Sequence, residues 1–425
     1  MSKKRNGGMN TVLKEFSFSN CYSYKDDATF SMEATRALKD NFDFVFSCGN
    51  GEDAVYLNPV AAIYGSNGGG KTNLLRALND AVSNIYIGLG LRNTPFALNK
   101  SHQNIFSHRL VIIKDNNEYE YKYKASSRKV YEESLFERDI VKKGIKKAVF
   151  VRENETITDS MFSKDNLQRG FLDAISNNKG ILVMKTFGEI GFPPFKPLYD
   201  WCGSVVSDMN ILNEMERQEN LDSFAEQIHK SSLKKANFSK FMQSFDKSLE
   251  KVVIGYDNNA YSNNENSKNE PKAHFFLAHN NDEGKQVAFP IEWESNGTQK
   301  LMDLYPSITK ALENGTPFVC DELDTCFHPL VFKKIVSLFN DREINKKGAQ
   351  LIFTAHDTVV MNRENLRRDE IHLIDKTEKG ASFAYRLSDI VDNDGKKIRM
   401  DARYDRLYLD GMLGSSPDGF REAEI

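Results

Sequence analysis

The chain has 425 residues, 40% hydrophobic and 28% charged, with a net charge of −3. That is an ordinary globular composition, long enough for a large core, without the global charge excess that draws a chain to nucleic acid, although a local basic surface is compatible with it. The five cysteines (Cys21, Cys48, Cys202, Cys320 and Cys326) are odd in number and scattered, and no apolar run approaches the ~18 residues of a membrane span. A disulfide framework, a structural zinc site and a membrane protein are therefore all disfavoured.

The start, Met1-Ser2-Lys3-Lys4-Arg5, is basic but no apolar stretch follows it, unlike a secretory signal, so a cytoplasmic location is expected. Residues 11–35 read as a strand pair, Val12–Phe18 and Ala28–Met32, around the polar stretch Asn20–Asp27. Val60-Ala61-Ala62-Ile63-Tyr64 is a short apolar run of buried-strand type. Gly65-Ser66-Asn67-Gly68-Gly69-Gly70-Lys71-Thr72 follows and fits G-x-x-x-x-G-K-[ST], the phosphate-binding loop. Its glycines allow the sharp turns that aim successive N–H groups at phosphate oxygens. Lys71 supplies a point charge to the β- and γ-phosphates and Thr72 a hydroxyl for Mg²⁺. Leu74, Leu75, Leu78, Ala81, Val82 and Ile85 then repeat at helical spacing, so strand, loop and helix N-terminus together make an anion site.

Residues 109–136 predict a three-stranded meander, turning at Lys114–Asn117 and continuing through Val130-Tyr131 and Leu135-Phe136. The Tyr/Lys alternation of 119–124 suits either a stacking surface for nucleic acid or a half-buried strand with a solvated face; period two favours the second. From about 160 to 255 the pattern is helical, with Leu221, Phe224, Ala225 and Ile228 on one face and Phe238, Phe241, Met242 and Phe245 on another, both read as core. Phe192–Pro197 marks a turn between two helical groups. The polar stretch Asp257–Glu270 predicts a mobile loop, and strands resume at Ala273–His279 and Val287–Phe289. His274 and His279 lack ligand-register neighbours and read as ordinary strand histidines.

Glu294-Ser295-Asn296-Gly297-Thr298-Gln299 is a Ser-x-Gly turn opening a helix, a second anion-binding N-terminus, with Pro306 expected to kink or end that helix. Thr316–Glu322 is an apolar run closed by Asp321 and Glu322, 250 residues beyond Lys71 (321 − 71). Adjacent residues at a strand end point differently, so one carboxylate can hold Mg²⁺ while the other orients and deprotonates a water. A helix starts near Pro329, and the run Gln350–Ala355 leads into His356, placed for a γ-phosphate contact at a strand end.

In their order, Gly65–Thr72, Ser295–Gly297, Asp321-Glu322-Leu323-Asp324 and His356 resemble the Walker A loop, signature, Walker B, D-loop and H-loop of an ABC-type ATPase head. The phrases Tyr64–Gly68, Glu294–Gln299 and Asp321–Pro329 resemble most the bacterial AAA ATPases related to SMC and RecF heads. Among these, the RloA/AbiL-type (OLD-related) ATPases of phage-defence operons are nearest, with a weaker likeness in the tail Tyr408–Gly414. Two positions depart from the pattern. Thr298 stands where transporters usually carry a second glycine, and the Q-loop glutamine has no clear counterpart, Gln103 being the candidate by position.

The resemblance implies an α/β fold: an ABC-type P-loop ATPase head with a mixed core sheet flanked by helices, an antiparallel β lobe and a largely helical insertion. Residues 1–155 and 273–425 would form the head and 156–272 the insertion. It implies ATP and Mg²⁺ as ligands, held by Gly65, Ser66, Asn67, Gly68, Gly69, Gly70, Lys71, Thr72 and Asn73, with Thr72 and Asp321 on the metal. Glu322 would be the general base, assisted by Lys71 and His356. Ser295 and Gly297 would reach the γ-phosphate from a second copy of the chain, and Asp324 would communicate across that two-fold interface. The function so implied is a nucleotide-driven dimer switch controlling an effector, a nuclease or toxin, in antiphage defence. A RecF/SMC-like DNA-binding repair ATPase and a non-hydrolysing nucleotide sensor are the alternatives.

Overall fold

The computed structural model describes residues 10–35, 45–49, 54–90, 94–98, 104–142, 144–163, 167–209, 214–256, 273–391, 395–399 and 401–413. Two compact units are formed. The first comprises residues 1–207, 311–323 and 333–425, and the second 208–310 and 324–332.

The first unit contains two large sheets. Strands β1 (Val12–Ser19) and β2 (Ala28–Ser31) form the expected pair, with Phe16 opposite Phe30. A small ladder of β3 (Phe46–Cys48) and β4 (Val55–Leu57) precedes β5 (Val60–Gly65). Every residue of β5 is buried. A strand covered on both faces needs an uninterrupted apolar run, which is what its sequence supplies. Helix α1 (Lys71–Tyr86) follows, burying Leu74, Leu75, Leu78, Ala81 and Ile85.

The antiparallel meander is β6 (Phe106–Lys114), β7 (Asn117–Ala125), β8 (Val130–Asp139), β9 (Lys147–Glu153) and β10 (Thr156–Ser160). It joins β1 and β2 in one sheet of order β10-β9-β8-β7-β6-β1-β2. On β7 the alternation resolves cleanly: Tyr119, Tyr121 and Tyr123 are buried while Lys122 and Lys124 are exposed. Buried rings cannot stack on bases, so this is the half-buried strand.

Helices α2 (Leu167–Ser176), α3 (Val183–Glu189) and α4 (Lys196–Ser204) come next, α1 packing on α3 and α4, and then the short edge strand β11 (Val206–Asp208). A wholly buried ion pair ties this region to the meander. Arg152 on β9 lies 3.3 Å from Glu133 on β8, and it also donates to the carbonyls of Ser176, Asn178 and Ile181. Glu133 accepts the N–H groups of Val183 and Met184, where α3 begins.

In the second unit, helices α5 (Glu214–His229) and α6 (Ser232–Gln243) pack on the antiparallel sheet β12 (Leu249–Tyr256), β13 (Ala273–Asn280) and β14 (Gln286–Pro290). Phe224, Phe238, Phe275 and Tyr305 form its aromatic centre, with ring centroids 4.6–5.7 Å apart. The helical stripes read from the sequence are therefore core. His274 pairs with Asp222 and His279 with Glu294. The polar stretch 257–270 lies outside the described residues.

Helix α7 (Asn296–Asn314) corrects one expectation: Pro306 does not end it, and the helix runs eight residues further. The missing N–H at Pro306 frees a carbonyl one turn back, a local cost that the surrounding helix absorbs.

The second large sheet of the first unit holds β15 (Phe318–Cys320), β16 (Leu351–Thr354), β17 (Ile371–Lys376) and β18 (Ser382–Arg386), with helix α8 (Pro329–Asn340) between β15 and β16 and α9 (Tyr404–Leu409) after β18. Its order is β11-β15-β16-β5-β17-β18. β15, β16, β5 and β17 are mutually parallel, and β18 closes the edge antiparallel to β17. The chain is thus α/β, built on a mixed sheet with helices and a separate antiparallel sheet. Parallel strands end on one edge, so the residues after β5, β15 and β16 converge despite their distance in sequence.

Candidate nucleotide site

The loop after β5 is shaped by glycines at positions other residues rarely adopt, with φ of 73° at Gly68 and 120° at Gly70. A Cβ on Gly70 would stand 2.5 Å from Ser382 Oγ and 2.8 Å from Ser23 Oγ, so glycine is required there on steric grounds as well. The loop passes directly into α1, whose first residues are Lys71 and Thr72. Lys71 is buried, and its Nζ donates to the carbonyls of Gly65 at 2.8 Å and Ser66 at 3.1 Å, which lays the ammonium across the loop.

Asp321 follows β15 and is buried. Thr72 Oγ1 lies 2.9 Å from its Oδ2, and Thr354 Oγ1, at the end of β16, donates to its Oδ1 at 2.6 Å. The same Thr354 hydroxyl accepts the N–H of Glu322 at 2.7 Å, while its carbonyl accepts the N–H of Leu323 at 3.0 Å. These bonds hold Glu322 at φ 51°, a left-handed conformation unfavourable for a long side chain. The turn ends the strand abruptly and sends Glu322 in a different direction from Asp321. Glu322 Oε1 is 4.0 Å from His356 Nε2, both side chains being nearly half exposed (45% and 43%).

An open pocket of about 500 Å³ lies over these groups. Asn67, Gly68, Gly69, Gly70, Lys71, Thr72, Asn73, Glu322 and His356 line it. Thus the fold gathers the loop, the second carboxylate and the histidine at one opening, with Asp321 beneath Thr72.

Ser295, Gly297 and Asp324 belong to the second unit. Ser295 caps α7, its Oγ accepting the Thr298 N–H at 3.1 Å and lying 2.9 Å from the Thr298 hydroxyl. The residue in place of a second glycine thus has a local task. A Cβ on Gly297 would lie 2.8 Å from the Cys326 carbonyl, so the turn carrying Asp324 packs directly against it. Gln103 and Gly414 lie outside the described residues.

Sequence reading missed Thr354, Ser23, Ser382 and Tyr24. Ser23 Oγ meets Asn73 Nδ2 at 2.9 Å and Ser382 Oγ at 2.8 Å, and Ser382 Oγ also donates to the Gly69 carbonyl at 2.5 Å. None of the four belongs to a motif; Thr354 was in view only as the residue two before His356.

A family model described as "AAA domain, putative AbiEii toxin, Type IV TA system" matches residues 60–362, the span from β5 past His356. The chain belongs to this AAA family. A search of the curated proteins found no match. Among solved structures, this AAA protein is similar to an SMC head bound to the C-terminal winged-helix domain of ScpA. The identity is 13% and the TM-score 0.45, over 88% of this chain and 97% of that one. It is also similar to the recombination mediator RecF with ATP, at 13% identity and a TM-score of 0.35, over 90% and 100% of the two chains.

The donor set fits magnesium and a nucleotide phosphate. Thr72 and Asp321 offer two hard oxygens 2.9 Å apart, and magnesium ordinarily takes one or two protein oxygens and completes its shell with water and phosphate. The glycine cradle and Lys71 supply the N–H groups and positive charge that polyphosphate needs.

Proposed function

We propose that this AAA protein binds ATP on the Gly65–Thr72 loop and hydrolyses it, and that the bound nucleotide governs pairing of two copies of the chain. The observation that carries this reading is the chain of contacts Thr72–Asp321–Thr354–Glu322 closing on a pocket lined by Lys71 and His356.

In this reading, the loop N–H groups and Lys71 hold the β- and γ-phosphates. Thr72 and Asp321 would hold magnesium, which when bound supplies positive charge at the phosphate oxygens. Glu322 accepts the proton of the attacking water, with His356 beside it at the same pocket opening. His356, which lines the same pocket as Lys71, steadies the γ-phosphate. Ser295 and Gly297, at the N-terminus of α7, complete the site of a second copy, with Asp324 at the interface. Residues 1–155 and 273–425 are proposed as the head and 156–272 as its insertion, a division by motif that does not follow the two compact units.

The regulated partner is proposed to be a nuclease or toxin effector in antiphage defence, of the RloA/AbiL (OLD-related) kind, acting in the cytoplasm. The outer face of the antiparallel sheet supports a protein partner over DNA. Although Lys122 and Lys124 of β7 are exposed, several of its basic groups are matched to carboxylates, Lys14 and Arg138 to Glu118, and Arg109 to Glu15 and Glu120. Phosphate-tracking surfaces keep such charges available.

Phosphate release by the purified chain tests the hydrolytic reading. Glu322→Gln is expected to bind ATP normally and slow turnover by at least ~10²-fold; near-normal turnover would remove Glu322 from the role of base. Lys71→Ala is expected to lose tight ATP binding, and unchanged affinity by calorimetry would overturn the loop assignment.

A further inference from the structure

We infer that Ser382 and Tyr24 are positioning residues for the phosphate loop, fixing the direction of the Gly70 and Lys71 N–H groups from behind. This rests on the ATP-binding reading of Gly65–Thr72.

Ser382 Oγ donates to the Gly69 carbonyl at 2.5 Å, and the Tyr24 hydroxyl donates at 3.1 Å to the Gly70 carbonyl, which also accepts the Leu74 N–H of α1 at 3.0 Å. In a trans peptide the carbonyl and the following N–H point in opposite directions. A carbonyl held on one side therefore aims the next N–H at the other. Gly69, Gly70 and Lys71 line the pocket, whereas Ser382 and Tyr24 do not. The two hydroxyls thus pull the carbonyls away from the pocket and turn the N–H groups of Gly70 and Lys71 into it. Glycines make this support matter most at Gly69, because a loop chosen for conformational freedom has no side chains of its own to hold a peptide plane, whereas at Gly70 Tyr24 adds to the first turn of α1.

The pins are themselves fixed. Ser382 begins β18 and donates its N–H to the Ser23 carbonyl at 2.8 Å, and the Ser23 hydroxyl takes part in bonds to Ser382 and Asn73. Tyr24 is completely buried, edge-on to Phe18 at 4.9 Å, and burial raises its phenol far above its ordinary range, so it stays a donor. The hairpin after β1 and the edge strand β18 therefore grip the loop between them.

The test is ATP affinity of the full chain by calorimetry, with KM and kcat from phosphate release, for Ser382→Ala, Tyr24→Phe and Ser382→Thr. Each hydroxyl deletion is expected to weaken ATP binding about tenfold, one hydrogen bond's worth. KM should rise by a similar factor while kcat stays within about twofold, because β-phosphate contacts serve ground and transition state alike. Ser382→Thr keeps the hydroxyl and should restore affinity. Melting without nucleotide separates loss of fold from loss of positioning, and Tyr24→Phe stands as an independent probe should Ser382→Ala fail to fold. Wild-type affinity in both deletions, with Lys71→Ala still defective, would overturn the pins alone. A wild-type chain that binds no ATP would overturn both readings.

Discussion

The Thr354 hydroxyl serves two neighbours at once, donating to the Asp321 carboxylate and accepting the Glu322 N–H. Thr354→Val keeps the shape and removes both bonds. It should cost about 1–3 kcal/mol in urea unfolding, the penalty for buried polar groups left unpaired. It should also lower kcat at least ~10-fold, since Glu322 loses the bond that holds its left-handed backbone. Thr354→Ser should recover most of both. A kcat unchanged in the valine variant would separate Thr354 from the chemistry. This residue also marks how far the site could be read in advance. Lys71, Thr72, Asp321, Glu322 and His356 declare themselves because their chemistry faces a ligand and demands particular residue types at particular spacings. Thr354, Tyr24 and Ser382 act on backbone groups, for which many hydroxyl residues would serve. Their partners are set only by folding: Ser382 and Ser23 are 359 positions apart.

Among the elements, β5 was legible because burial on both faces leaves only apolar choices, and α1 because its apolar spacing follows a glycine loop. The reach of α7 past Pro306 was not, because surrounding packing outweighs a local preference. Nor was the Glu133–Arg152 pair, since charges on a strand read as solvent-facing. With both side chains fully buried, Arg152→Met should destabilise by about 3–5 kcal/mol in urea unfolding, leaving the Glu133 carboxylate without its counter-charge and three carbonyls without their donor. A single substitution costing under ~1 kcal/mol would contradict the proposed strength of this tie. The strands also carry a pH dependence. Burial lowers His108 on β6 and His372 on β17 from the ordinary 6.5 to about 3. Below pH 6.5 the unfolded chain binds protons that the folded chain refuses, so stability falls as pH drops from 6.5 towards 3. Glu370, raised by burial from 4.5 to about 8, acts oppositely: its contribution is full below 4.5 and lost as pH rises through 8. His372→Gln should flatten the acid arm of melting temperature against pH, and leave the arm above 6.5 unchanged. An acid arm as steep as that of the wild type would remove His372 as its source.

For the whole molecule, family membership covers the span from β5 past His356, and the parallel strand order explains why motifs 250 residues apart meet at one edge. Among the described residues, no helix is long and apolar enough to cross a membrane. The Ser295–Gly297 turn and the turn bearing Asp324 pack together through Gly297 and Cys326, and the proposed switch assigns them to the interface with a second copy. The proposed partner is the least legible part, because partner recognition uses surface shape and carries no fixed residue spacing. ATP should favour the paired state only through contacts made in that state. The decisive measurement is the solution mass of Glu322→Gln by light scattering, with and without ATP and Mg²⁺. The prediction is a shift from the 48.4 kDa of one chain to twice that mass on adding nucleotide, reversed when nucleotide is removed. A mass that stays at 48.4 kDa with ATP bound would contradict the nucleotide-driven pairing on which the proposed switch depends.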